Sequence, residues 1–469
     1  MICCKRRIWG CFTLLVVVLL LAPAVLAGGY LWAGREVFAA YAAKALASGV
    51  FVAGRTPESI AAQELAVLPC LKYEVDRENR SVTAWIFGSS RRTAVYREGL
   101  GAALAQDGDV EALQRQARPE LVLDRESAAQ QPWPMGDAPS GKPRPPGVDE
   151  AALAEAVDGL FGPPSRFLKR HTRAVIVVYD DEIVAERYAA GFEANQRFLG
   201  WSMTKSFLHA LYGIAVRQGR LRVADTVPFW QGPGDPRAAV TLDMLLRMSS
   251  GLDYNEFDFL PPTALTTMIF LKPGAGDFAA TLPLGHPPDT TWAYASPGTN
   301  ILSKVLRHHY GDDAYYALPY QELFGKIGMR SAVLEADASG TFVGSSLMYA
   351  TARDYARFGL LYQHDGVWQG ERILPEGWVE YGRTPTPTAA GGHYGAHWWL
   401  ISRGERKKAA DAGHPLPEDI FFASGFEGQF IVVIPSRKLV IVRLSLDLKA
   451  GSPLNMIHAI LAAFPETPA

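Results

Sequence analysis

Cysteine is scarce where it could matter. Of four cysteines in 469 residues, Cys3, Cys4 and Cys11 fall in the first dozen positions, which leaves Cys70 alone in the body. No intramolecular disulfide framework is available there, and no Cys/His cluster has the spacing of a metal site. Neither sign of charge dominates: 46 basic against 48 acidic side chains give a formal net charge of −2. The chain therefore has no basic field for nucleic acid and no acidic one for cations. Its histidines, including His393 and His397, are scattered and support neither a Ser-His-Asp triad nor zinc. No internal repeat is visible, and no cofactor or metal is expected.

One long apolar run is present, at the start. Lys5-Arg6-Arg7 precede Ile8 to Trp32, which is interrupted by Gly10, Thr13, Pro23 and Gly28-Gly29 and is densest over Leu14–Leu21. Small residues at Ala22, Ala24 and Ala27 suit a cleaved signal peptide. A length of about 20–25 residues suits an uncleaved membrane anchor, the reading preferred here. Under either reading the three cations stay on the cytoplasmic side and the body is exported. The catalytic part is then held at the inner membrane on its periplasmic side, or released to the periplasm if cleavage occurs. Residues 1–34 are assigned to this anchor or signal.

Residues 35–130 read as a small accessory α+β domain. Alanine-rich helical turns over 35–70 are followed by alternating segments Leu71–Val75 and Ser81–Phe87, with Glu78-Asn79-Arg80 between them, and by a third strand near Arg92–Tyr96. No catalytic constellation appears there. Six prolines and three glycines within 131–147 exclude a regular helix or central strand, so 131–148 is taken as a linker.

The last unit, 149–469, opens with a helix near Asp149–Leu160 and a hairpin of Ala174–Tyr179 with Ile183–Tyr188. It closes with strands Gly428–Pro435 and Leu439–Leu444 and a helix near Leu454–Phe464. Between them lie a capped helix over Thr241–Met248, a Pro/Gly-rich tract, and helices near 299–309, 313–326 and 351–363. Strands at both ends of a helical middle argue for a mixed α/β domain whose sheet is closed by distant segments.

Within this unit, Leu199-Gly200-Trp201 runs into Ser202-Met203-Thr204-Lys205, after which Phe207, Leu208, Leu211, Ile214 and Ala215 recur at helical spacing. Ser202 thus stands at or just inside a helix N-terminus, where free N–H groups favour developing negative charge. Lys205 lies one turn on, on the same face. A serine hydroxyl needs a base to become a nucleophile, and a desolvated lysine can be that base. No other serine in the chain has a lysine three residues later. A serine at a helix start is more often a cap, so the motif needs company. Two further motifs follow in order: Tyr294-Ala295-Ser296 ahead of a helix, and Ala423-Ser424-Gly425-Phe426-Glu427-Gly428-Gln429 leading into an apolar strand.

Together these three motifs resemble the penicillin-recognising serine hydrolase superfamily: class C β-lactamases, DD-peptidases, related esterases and 6-aminohexanoate-dimer hydrolases. Leu245–Leu252, Gly344–Asp354 and Tyr394–Trp399 are similar to further family segments, and the resemblance spans about residues 150–465. It implies a β-lactamase/transpeptidase-like fold, an antiparallel sheet flanked by helices plus a helical subdomain, and an acyl-enzyme at Ser202. Lys205 and Tyr294 would be its proton-transfer partners. Ser296 stands where β-lactamases usually carry asparagine, and the Tyr-x-Ser form is similar to the nylon-oligomer hydrolases. The strand bearing Ser424, Gly425 and Phe426 would flank the substrate, with the Phe426 N–H joining that of Ser202 as an oxyanion hole.

One departure bears on substrate. Where β-lactamases and peptidases carry Lys-Thr-Gly, this chain reads Ala423-Ser424-Gly425, so the cation that would hold a substrate carboxylate is missing. Small neutral esters or amides are expected instead. The alternatives are a D-amino-acid peptidase or β-lactamase acting on wall-type substrates, and a catalytically silent binding protein. Trp201, Tyr254, Trp292, Trp398 and Trp399 are candidates for an aromatic pocket. Arg353 and Asp354 read as a solvent pair at a helix start.

Overall fold

The computed structural model describes residues 28–466, apart from residues 31, 69, 107, 163–170, 257–261 and 449 and the side chain of residue 128. Nearly all of the apolar run Ile8–Trp32 therefore lies outside the described residues. Among the described residues, no helix is long and apolar enough to cross a membrane.

Strand sequences dense in valine and isoleucine build the centre. β5 (Thr172–Tyr179), β6 (Glu182–Tyr188), β11 (Phe421–Gly425), β12 (Gln429–Ile434) and β13 (Leu439–Ser445) join a short β10 (Trp399–Leu400) in one antiparallel sheet. Its order is β10-β11-β12-β13-β5-β6, so segments more than 250 residues apart become neighbours, with Val440 opposite Val178. Both faces are covered, which is why β5 and β12 are apolar without alternation. On one face Ile176, Val433 and Val440 pack into the core that holds the helical subdomain. On the other, Val177, Val432 and Ile441 pack under α3 (Glu150–Gly159) and α8 (Leu454–Leu461). This is the mixed α/β, antiparallel-sheet fold expected from the sequence.

The N-terminal unit is a helix on a sheet. α1 (Arg35–Phe51) lies across β1 (Leu71–Asp76), β2 (Ser81–Ile86), β3 (Ser89–Arg97) and β4 (Gly101–Ala105), with Ala40, Ala43 and Ala47 buried between them. Small residues let the helix approach the sheet closely. β4, Gly-Ala-Ala-Leu-Ala, has none of the β-branched residues that mark a strand, and it pairs only because β3 and α1 bracket it. The unit is fastened to the body by buried charges. Lys44 pairs with Glu335, whose other oxygen accepts from Ser48 Oγ and Ala102 N, each at 2.8 Å. Residues 131–147 hold no regular helix or strand, and they are strapped down. Trp133 is buried, and Arg357 donates to the carbonyl of Pro134 at 2.6 Å and to Asp137 at 2.8 Å.

Three readings need correction. The Pro/Gly-rich tract contains two short helices, Ala264–Phe270 and Ala275–Ala279, the first held by a Thr263/Thr266 capping box. The helix expected over 313–326 stops at Pro319 and continues as a single wide turn, Tyr320–Phe324. Arg353 and Asp354 are not a solvent pair: Arg353 pairs with Glu186 at 2.8 Å, while Asp354 is buried, pairs with Arg357 at 2.6 Å and accepts from Ser331 N.

Candidate active site

A two-residue strand, β7 (Phe198–Leu199), delivers the chain to a tight turn, Trp201–Met203, that opens α4 (Thr204–Arg217). Trp201 takes a left-handed backbone, φ 48°, so the chain reverses sharply just before Ser202. Ser202 remains half-buried, while Lys205, one turn on, is 1% exposed. The amine is surrounded by oxygen. Lys205 Nζ lies 3.0 Å from Ser202 Oγ, 3.1 Å from Ser296 Oγ and 2.9 Å from the Ser345 carbonyl. Tyr294 closes the group, its ring centroid 4.9 Å from Nζ and its phenol beside Ser202.

The polarity of these bonds decides what the lysine can do. The Ser345 carbonyl can only accept. Ser296, first residue of α6 (Ser296–Tyr310), donates its hydroxyl to Glu256 Oε1 at 2.6 Å and its N–H to Glu256 Oε2 at 2.8 Å. Its Oγ must therefore accept from Lys205. A neutral amine has two N–H groups, and these two acceptors take both, which leaves its lone pair facing the Ser202 hydroxyl. Burial pulls the lysine down to about 8, opposed by the charge of Glu256. About a tenth of it is then neutral at pH 7 and half at pH 8. The Tyr294 phenol goes the other way: burial and Glu256 raise it, opposed only by the influence of Ser202, so it holds its proton at neutral pH.

The surrounding frame fixes this geometry. Asn300 on α6 donates to Ser345 Oγ at 3.1 Å and accepts from Ser345 N, steadying the carbonyl that faces Lys205. His397 accepts no role as a base. Its Nδ1 lies 3.0 Å from the Lys205 carbonyl and so must donate, and its Nε2 accepts from Thr299 Oγ1 at 3.2 Å. Burial and the nearby lysine hold it down to about 3, so it is neutral and serves to tie α4 to α6.

β11 ends beside the nucleophile turn. A Cβ added to Gly425 would collide with the Gly200 carbonyl oxygen, so the strand can come this close only as glycine. Phe426 follows, 57% exposed, its ring meeting Trp201 edge-on at 5.8 Å between centroids. Ser424 sits one residue earlier, with no hydrogen bond to the Ser202 cluster among the described residues. Ala423 is buried in the sheet opposite Ile431, and Arg443, a candidate to replace the missing lysine, is paired with Asp447 at 3.1 Å. An aromatic wall stands on the Tyr294 side, where Trp399 lies 5.2 Å and Tyr394 6.0 Å from that ring, and Trp292 packs on both. Trp398, by contrast, is core, stacked among Phe358, Tyr362 and Phe421.

Ser202, Lys205, Tyr294 and Ser296 thus come together, and Gly425 and Phe426 stand beside them. Glu256 and Asn300 escaped the sequence reading. Glu256 lies 40 residues from Ser296 in a tract with no periodicity, and no spacing could announce the pair.

A buried lysine beside a serine hydroxyl, on a helix packed against an antiparallel sheet, defines a serine hydrolase built on Ser-x-x-Lys rather than on histidine. The chain belongs to the beta-lactamase family, whose model matches residues 165–463. It is similar to the 6-aminohexanoate-dimer hydrolase of Paenarthrobacter ureafaciens, 27% identical over 298 residues that cover 58% of this chain and 72% of that one. Among solved structures, EstCE1, a hydrolase with promiscuous acyltransferase activity, aligns with a TM-score of 0.55 at 15% identity, covering 66% of this chain and 99% of that one. A class C beta-lactamase aligns at 0.51 and 16% identity, covering 68% and 98%. At such identities the structural likeness speaks for the fold.

Proposed function

We propose that this chain is an exported hydrolase that forms an acyl-enzyme at Ser202 on small neutral esters or amides. The observation that carries the reading is the buried Lys205, with two obligate acceptors taking its N–H groups and Ser202 in the remaining direction. Neutral Lys205 takes the Ser202 proton as Oγ bonds to the substrate carbonyl carbon. The oxyanion is received by the N–H groups of Ser202 and Phe426, on the turn and the strand that Gly425 brings together. Tyr294, protonated at neutral pH, gives its proton to the departing alcohol or amine and recovers one from the Lys205 ammonium beside its ring. Water then attacks the acyl group by the same route in reverse. Ser296 and Glu256 orient the lysine, and Ser424 and Gly425 line the substrate strand.

Neutral substrates are favoured because Ala423 stands where a cation would bind carboxylate. Relatives named as a 6-aminohexanoate-dimer hydrolase and as a hydrolase with acyltransferase activity are consistent with acyl transfer from amides and esters. Export rests on Lys5-Arg6-Arg7 ahead of the apolar run Ile8–Trp32. The test compares kcat/KM for p-nitrophenyl esters with that for penicillins and D-Ala-D-Ala peptides, before and after Ala423→Lys. The missing charge-assisted hydrogen bond is worth about 1.5–3 kcal/mol, roughly 10–150-fold. Esters should lead in the unmodified enzyme, and Ala423→Lys should narrow the gap. A native preference for penicillins would refute the neutral-substrate reading.

A further inference from the structure

A cavity of ≈ 70 Å³ lies between the N-terminal unit and the hydrolase body, and Ser202, Lys205 and Tyr294 are not among its walls. Tyr41, Lys44 and Ser48 of α1 form one side, and Arg173, Arg197 and Glu427 of the body form the other. At about 10–15 Å³ per water it has room for about five waters, the bulk of a four- to six-carbon acid.

The charges around it do not cancel. Lys44 is matched by Glu335. Arg55 and Arg173 share one carboxylate oxygen of Glu64, the second at 2.8 Å. Arg197 donates only to carbonyl oxygens, of Ser331 at 2.6 Å and Val52 at 2.9 Å, with no carboxylate at ion-pair distance among the described residues. With Glu427 counted, one positive charge is left in excess among these described residues. Arg173 is 8% exposed, yet its Nε–H has no acceptor among the described residues. Apolar walls stand beside polar ones: Phe192 lies under the Arg173 guanidinium at 5.0 Å, and Phe198 and Leu347 line the cavity along with Gln429 and Ser445.

We propose that this cavity binds a short-chain monocarboxylate, its head taken by Arg173 and Arg197 and its alkyl part lying against Phe192, Phe198 and Leu347. A single negative charge neutralises the wall, and the unused Nε–H gains its acceptor. Burial lowers both guanidiniums, Arg197 to about 10, and a bound anion offsets that cost. Inorganic phosphate matches the charge less well and leaves the apolar end unfilled. The site is independent of chemistry at Ser202, although it lies directly behind it. Trp201, the residue before Ser202, donates its indole N–H at 3.2 Å to Glu427, the residue after Phe426.

The test is calorimetric titration of the full chain with sodium butyrate and with inorganic phosphate at constant ionic strength. Butyrate should bind to the native chain and to Ser202→Ala alike. Arg197→Gln should weaken it about tenfold or more, Arg197→Lys should retain most of it, and phosphate should bind less well. Should Arg197→Gln fail to fold, Leu347→Phe, which fills the apolar end, must produce the same loss. Absence of butyrate binding, binding that survives both Arg197→Gln and Leu347→Phe, or phosphate binding as tight as butyrate would overturn the proposal.

Discussion

Glu256 gives the sharpest handle on the proposed base. Its two carboxylate oxygens receive the Ser296 N–H at 2.8 Å and the Ser296 hydroxyl at 2.6 Å, and its charge opposes the burial that pulls Lys205 down to about 8. A base of that pKa should make kcat/KM rise about tenfold per pH unit below 8 and level off above it. Glu256→Gln keeps the shape and removes the charge. Loss of a nearby negative charge disfavours the ammonium, so the midpoint must move to lower pH. Glutamine also offers one acceptor oxygen where two donors now point. The alkaline plateau should therefore fall by the worth of one hydrogen bond to a charged group, about 1.5–3 kcal/mol or roughly 10–150-fold. The variant thus loses least at pH 6 and most at pH 9. The assay is kcat/KM for p-nitrophenyl butyrate from pH 6 to 9.5, with spontaneous hydrolysis subtracted. A midpoint that stays fixed or moves upward would show that Lys205 does not feel Glu256, and the assignment of Lys205 as base would fall with it.

Two further expectations concern packing and topology. Gly359, inside α7 (Ala352–Gln363), faces Val440, and an added Cβ would collide with Val440 Cγ1. Gly359→Ala gains about 1 kcal/mol of helix propensity but overpacks the sheet at about 1–3 kcal/mol. The net change should be destabilising in urea titration, with the loss relieved by Val440→Ala; a stabilised single variant would contradict the packing described. A reporter enzyme fused after residue 130 should be active only outside the cytoplasm, and cytoplasmic activity would refute export.

The parts of this molecule that were legible in the sequence are those written in local pattern. The helix near Asp149–Leu160 was legible, with Asp149 proving to be the cap of α3, and so was the turn at Asp180-Asp181 between β5 and β6. Ser202 and Lys205 were readable because one helical turn joins them, and Tyr294-x-Ser296 because it opens a helix. What sequence could not show depends on contacts between distant segments. Glu256 gains its meaning from Ser296, His397 from Lys205 and Thr299, and Arg353 from Glu186, which cannot be foreseen from spacing. Arg97 is equally opaque: it looks like an ordinary strand residue, yet it is buried and donates to the Ala336 and Asp337 carbonyls that join the two units.

The central claim is that Ser202 is the acylated nucleophile. An activated-serine probe such as a fluorophosphonate, followed by peptide mass mapping, tests it most directly. One added mass is expected, on the peptide containing Ser202, lost in Ser202→Ala with little change in melting temperature and strongly slowed in Lys205→Ala. Labelling that persists in Ser202→Ala, or that maps to another serine, would contradict it.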